Sequence, residues 1–142
     1  MGIAKSTKRK NEMRNDKTIT SLKDNEIFVF GSNYAGRHGR GAALLAVKKF
    51  GAKNGQGLGL MGKSYGIPTK NRNLKVLSLD IIENLIFKFL LFSEEHPELT
   101  FLVTPIGCGL AGYKPKQIAP LFFNYKIPKN VKLPESFLRF NQ

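Results

Sequence analysis

An α/β domain is what the sequence predicts, and three observations carry that prediction. Two short apolar runs, residues 27–30 and 101–103, each open into a glycine-rich loop. Each loop leads into a segment of helical character, residues 41–50 after the first and 115–124 after the second. Between the two units lies an amphipathic stretch, residues 80–95, whose apolar positions recur at helical spacing. Strand-loop-helix units of this kind bring both loops to one edge of a sheet, where α/β proteins bind ligands.

At 142 residues and 42% hydrophobic content, the chain supplies one compact domain with a core of its own. Residues 1–17 hold Lys5, Lys8, Arg9, Lys10, Arg14 and Lys17 against Glu12 and Asp16, with few large apolar side chains. They bury too little to offset the entropy of ordering and read as a flexible basic extension. The folded domain, residues 18–142, begins with Ile19 and Leu22 as edge-strand positions and a turn at Lys23, Asp24 and Asn25. The run Ile27, Phe28, Val29, Phe30 fits a strand buried on both faces, with a loop from Gly31 to Arg40 behind it. Ala42 and Ala43 make the first turn of the next helix small enough for close approach, and Gly51 ends that helix.

Gly55, Gly57, Gly59 and Gly62 make residues 51–62 too flexible for a helix or a strand, so a long loop or a ligand-covering flap is expected there. Residues 64–67 form a short strand that Pro68 ends, and residues 69–74 form a basic loop with Lys70 and Arg72. Asp80 caps the amphipathic helix, with Glu83 completing a capping box, and Ile82, Leu85, Ile86, Phe89 and Leu90 form its buried face. Pro97 blocks its continuation. In residues 115–124, Pro120 removes one hydrogen bond or forces a break. Residues 131–140 add an edge strand or pack over the core.

The net charge of +13 favours anionic partners: nucleotides, polyanions or acidic surfaces. Cys108, the single cysteine, excludes an intramolecular disulfide and fits a reducing compartment such as the cytoplasm. No apolar run reaches the eighteen or so residues that span a membrane, and the N-terminus lacks a secretory apolar segment. One cysteine and two separated histidines do not make a zinc set, so neither a metal nor a cofactor is expected.

Residues 104–114, Thr-Pro-Ile-Gly-Cys-Gly-Leu-Ala-Gly-Tyr-Lys, form the stretch richest in chemistry. Consecutive N–H groups in such a loop, with a helix starting at Pro115, stabilise phosphate oxygens without a side chain or a metal. In the first loop Asn33 either contacts a ligand or bonds its own turn. His38 is the one group there suited to proton transfer near neutrality. Asp80 serves as a helix cap or orients a water. Cys108 is a small spacer or a nucleophile, and Tyr113 packs on the helix or stacks on a ribose or base. Arg37, Arg40 and Lys63 draw in an anion or solvate the rim.

Together, the residues Ile-Phe-Val-Phe-Gly-Ser-Asn-Tyr-Ala-Gly-Arg-His-Gly-Arg-Gly-Ala-Ala and Thr-Pro-Ile-Gly-Cys-Gly-Leu-Ala-Gly-Tyr resemble the two ligand loops of the macro domain family. The likeness is closest to small phage-encoded or bacterial members; the cytoplasmic location expected from the cysteine and the lack of an apolar segment is then the host's if the chain is phage-encoded. It implies a three-layer α/β/α fold with a mixed sheet and binding of ADP-ribose or a related NAD-derived nucleotide, free or on a macromolecule. The ligand set it implies is Gly31, Ser32, Asn33, Gly36, Gly39, Gly41 and Ala42 from the first loop, then Pro105, Ile106, Gly107, Cys108, Gly109, Leu110, Ala111, Gly112 and Tyr113. The Gly-Cys-Gly-Leu run and Pro68-Thr69-Lys70 resemble the terminal ADP-ribose protein glycohydrolase branch, in which a lysine and an aspartate carry the chemistry. Lys70 matches the lysine, but Ala111 stands at the aspartate's place. The acidic residue that reads adenine in many family members would fall near Thr18, where the closest carboxylates are Asp16 and Asp24.

Asn33, His38, Lys70 and Asp80 are therefore the candidate catalytic residues, in a hydrolysis of an ADP-ribosyl bond by an ordered water. Two other functions compete with it: a non-enzymatic sponge or reader of a nucleotide signal, and a basic module that binds nucleic acid through its surface and N-terminal extension.

Overall fold

The computed structural model describes residues 19–141, so the expected basic extension and its boundary after residue 17 lie outside the described residues. Five strands, β1 (Glu26–Asn33), β2 (Gly59–Met61), β3 (Ser64–Lys70), β4 (Thr100–Val103) and β5 (Val131–Lys132), form one sheet in the order β2-β3-β1-β4-β5. β1 runs parallel to β3 and β4, β5 runs parallel to β4, and β2 is antiparallel to β3. Four helices complete the fold of the described residues: α1 (Gly41–Lys49), α2 (Leu79–Glu94), α3 (Pro115–Phe123) and α4 (Glu135–Leu138). None of these helices is long and apolar enough to cross a membrane.

The alternation of β1 divides the core. Ile27 and Val29 join Ile67, Phe101 and the buried faces of α2, α3 and α4 in one cluster. Phe28 and Phe30 point the other way and pack with Ala46 of α1, Phe50 and Met61. A strand buried on both faces reads as an unbroken apolar run because neither set of side chains meets water. The chain leaves β1 toward β3 on one side and later crosses to β4 on the other. β1 is thus the switch point of the sheet, and its C-terminal end faces a crevice between diverging connections.

Several local expectations are corrected. Ile19 and Leu22 form no strand; they pack partly buried against the Phe28 and Phe30 cluster. β1 does not stop at Phe30 but runs on through Gly31, Ser32 and Asn33, because the ladder to β3 continues to Ser32 opposite Pro68 and Asn33 opposite Lys70. β3 likewise passes through Pro68. Phe28 N–H donates to Lys63 O, so odd positions of β3 face β1 and Pro68 faces β2, whose last pair is Gly59 with Gly66. A missing N–H costs little beyond the end of that neighbour.

The helix cap is Ser78, whose Oγ accepts from Ile81 N–H (3.3 Å), and Asp80 lies in the first turn of α2. Glu83 makes no capping box with it and instead accepts from Asn124 Nδ2 (3.2 Å). The predicted buried face of α2 is the observed one. α3 continues across Pro120 without breaking, and residues 131–140 supply both the edge strand β5 and α4.

Residues 51–62 differ most from expectation. They contain β2, and their glycines permit close packing rather than motion. Gly55 N–H donates to Gly36 O (2.9 Å), and Ser32 Oγ donates to Gly57 O. A Cβ on Gly57 would overlap Asn33 O, and one on Gly66 would overlap Gly57 O. The segment braces the first loop from behind, and none of its residues lines the pocket described below.

Candidate functional site

The connections leaving β1, β3 and β4 build one open pocket of ≈ 730 Å³. That is within the usual range for small-molecule sites, roughly 300–1,000 Å³. The first loop supplies Gly31, Ser32, Asn33, Arg37, Gly39 and Arg40, and the start of α1 supplies Gly41, Ala42 and Ala43. Arg40 is the N-cap of α1 but makes no side-chain cap, and no acidic residue lies in the first turn. The first bond of the helix is Leu44 N–H to Arg40 O (3.2 Å), so the N–H groups of Gly41, Ala42 and Ala43 have no partner within the helix. These three donors, at the positive end of the helix dipole, belong to pocket-lining residues.

The second loop supplies Thr104, Pro105, Ile106, Gly107, Gly109, Leu110 and Ala111. It is shaped by Cys108 N–H to Pro105 O (3.2 Å), Gly112 N–H to Gly109 O (3.0 Å) and Tyr113 N–H to Gly107 O (2.9 Å). The N–H groups of Gly109, Leu110 and Ala111 take no part in that network. Gly107 needs its glycine: its φ is +76°, and a Cβ there would stand 2.9 Å from Ile118 Cδ1. Gly39 and Gly109 would admit a Cβ into open space.

β3 and its turn add Thr69, Lys70 and Leu74. Asn71 Oδ1 holds this turn by accepting from Asn73 N–H (2.8 Å) and Lys75 N–H (3.0 Å). The lining cations are Arg37, Arg40 and Lys70, and among the described residues no carboxylate joins them. Such a pocket has a single electrostatic sense and favours an anion.

Of the sequence-predicted residues, Gly36, Cys108, Gly112 and Tyr113 do not line the pocket. Gly36, at φ +72°, fits tightly against the backbone of Gly55 and Gln56. Cys108 and Tyr113 pack partly buried on the core, and Tyr113 Oη donates to Leu77 O (2.8 Å). α3 contributes no lining residue, so the helix start that opens on the pocket is that of α1 and not the one at Pro115. Asp80 is exposed and outside the pocket. Asn33 lines it, yet its amide staples its own turn: Nδ2 donates to Arg37 O (2.9 Å) and Oδ1 accepts from Arg37 N–H (3.0 Å).

His38 is turned away from the pocket and is 3% exposed. Its Nε2 lies 2.9 Å from Lys53 O and 2.8 Å from Gln56 O, so that nitrogen carries the hydrogen. The ring meets Phe30 edge-on, with centroids 5.4 Å apart. His38 therefore ties the first loop to residues 53–56 and is not placed as an acid or base. Replacing it with alanine leaves two carbonyls unsatisfied and a void, an expected loss of about 2–3 kcal/mol in a denaturant titration.

Thr69, Leu74, Ala43 and Thr104 line the pocket without having been among the expected ligand-binding or catalytic residues. Ala43, Thr69 and Thr104 adjoin residues that were identified, whereas Leu74 reaches the pocket only through sheet order and the turn after β3. Among the described residues no cluster of His, Cys, Asp and Glu is arranged to hold a metal.

No family model matches the chain, and no curated protein or solved structure matches it either.

Proposed function

We propose that this pocket binds ADP-ribose or a related NAD-derived nucleotide, with the diphosphate held by the backbone N–H groups of the two loops. One observation carries the reading: the backbone donors at the start of α1 and at Gly109–Ala111, which have no backbone partner among the described residues, belong to residues lining one pocket, whose described lining holds three cations and no carboxylate. Neutral N–H groups fixed by their loops hold phosphate oxygens at little reorganisation cost, and Arg37, Arg40 and Lys70 add long-range attraction. The macro-domain resemblance of both loops supports the same ligand, and the two clusters on opposite faces of β1 support the α/β/α layering it implies.

Retention of the ligand is favoured over its hydrolysis. Ala111 contributes no carboxylate, His38 and Asp80 lie outside the pocket, and the Asn33 amide is engaged with Arg37. Lys70 is left without a general acid or base beside it. Titration calorimetry with ADP-ribose, NAD and cyclic derivatives tests binding, and chromatography of the ligand after long incubation tests retention. Heat on titration and an unchanged ligand are expected. No heat and no thermal shift with any of these compounds would overturn the proposal, and a cleaved ligand would overturn the preference for retention.

A further inference from the structure

Two short loops stand side by side at the pocket and share a base. The β3–α2 connection is closed by Leu77 N–H donating to Thr69 O (2.9 Å), and the β4–α3 connection by Tyr113 N–H donating to Gly107 O (2.9 Å). The closing residues of one loop meet those of the other: Tyr113 Oη donates to Leu77 O (2.8 Å), and Thr69 Cγ2 lies 3.9 Å from where a Cβ of Gly107 would stand. From this common base each loop presents a leucine to the same pocket, Leu74 at 39% exposure and Leu110 at 69%.

Neither leucine belongs to either core cluster. Leu74 also carries the one positive φ (64°) found outside glycine among the described residues. That conformation suits asparagine or glycine, and Asn73 stands immediately before it. A leucine held there leaves 39% of its surface exposed. Strained residues of this kind cluster at ligand clamps, where the surrounding turn enforces them.

We propose that Leu74 and Leu110 are the two jaws of an apolar clamp for the flat heteroaromatic ring of a bound nucleotide. This rests on the nucleotide reading above and adds to it what selects a base-bearing ligand over a base-free phosphate. The donors of the pocket hold an anion, and the two leucines that line the same pocket take an apolar group, so a ligand that satisfies both carries phosphate and a ring. A ring has two apolar faces, and two aliphatic side chains on neighbouring loop tips cover them while leaving water themselves.

The test measures Leu74→Gly and Leu110→Ala against wild type with ADP-ribose, inorganic pyrophosphate and ribose 5-phosphate. Leu74→Gly is expected to raise the thermal midpoint, since glycine tolerates the backbone, while weakening ADP-ribose binding about 10-fold or more. Leu110→Ala weakens ADP-ribose similarly, and the two base-free ligands bind Leu74→Gly as they bind wild type. In the NMR spectrum of wild type, ADP-ribose shifts the methyls of both leucines upfield through the ring current, and pyrophosphate does not. Unchanged ADP-ribose affinity in both variants, an equal loss for all three ligands, or methyls that do not move would overturn the clamp. Wild-type protein that binds pyrophosphate but not ADP-ribose would instead overturn the nucleotide reading beneath it.

Discussion

Gly109→Asp is expected to abolish ligand binding while leaving the fold intact. A side chain at Gly109 enters open space, and its backbone does not occupy the positive-φ region. The new carboxylate sits beside the N–H groups proposed to hold phosphate, where it accepts those donors and repels the ligand. Two like unit charges about 4 Å apart repel by ~4 kcal/mol at an effective dielectric near 20, so a loss of at least 100-fold, about 2.7 kcal/mol, is expected in calorimetric titration. Gly109→Ala, which adds volume without charge, should retain most of the affinity. An unaltered thermal midpoint in both variants confirms that the loss is electrostatic and local.

Gly57→Ala is expected to have the opposite profile, a large loss of stability from a residue outside the pocket. Its Cβ would overlap Asn33 O at the end of β1, and both partners of that contact are backbone held in place by other bonds. Ser32 Oγ donates to Gly57 O, and Asn33 O also accepts Gly36 N–H (3.0 Å), so relief requires the whole first loop to move. A loss of about 3 kcal/mol or more is expected, a fall in thermal midpoint of roughly 10 °C. Gly39→Ala provides the contrast. It meets nothing within 4 Å and should be neutral to within about 0.5 kcal/mol.

These two positions mark the limit of what the sequence conveys. Gly39 and Gly57 are both loop glycines, and nothing local distinguishes an opening onto a pocket from a contact with another strand. The same limit explains the misread segment 51–62, where glycine spacing looks like flexibility until the close approach to Asn33, Gly36 and Gly66 is known. Pro68 reads as a strand end because the end of β2 is a tertiary fact. Ser78 and Asp80 are both good cap residues, and the backbone rather than composition selects Ser78.

By contrast, the buried face of α2 and the double burial of β1 were legible, since each is a period written directly in residue type. The two glycine-rich loops of the pocket were legible for a related reason. Backbone donors need small residues around them, and Gly39, Gly41, Ala42, Gly107 and Gly109 record that need. Side-chain direction was not legible. His38 and Tyr113 sit in the right loops but point into the protein, and Thr69 and Leu74 come from the end of β3 and the turn after it, brought alongside by the β3-β1-β4 order.

The central claim is that specific backbone amides hold a diphosphate. The backbone-amide NMR spectrum of the protein titrated with ADP-ribose reads those groups one by one. Large shifts are expected for Gly41, Ala42, Ala43, Gly109, Leu110 and Ala111, with smaller ones at Cys108, Gly112 and Tyr113, whose N–H groups are already bonded within the loop. Shifts clustered elsewhere on the sheet, or none at ligand saturation, would contradict it.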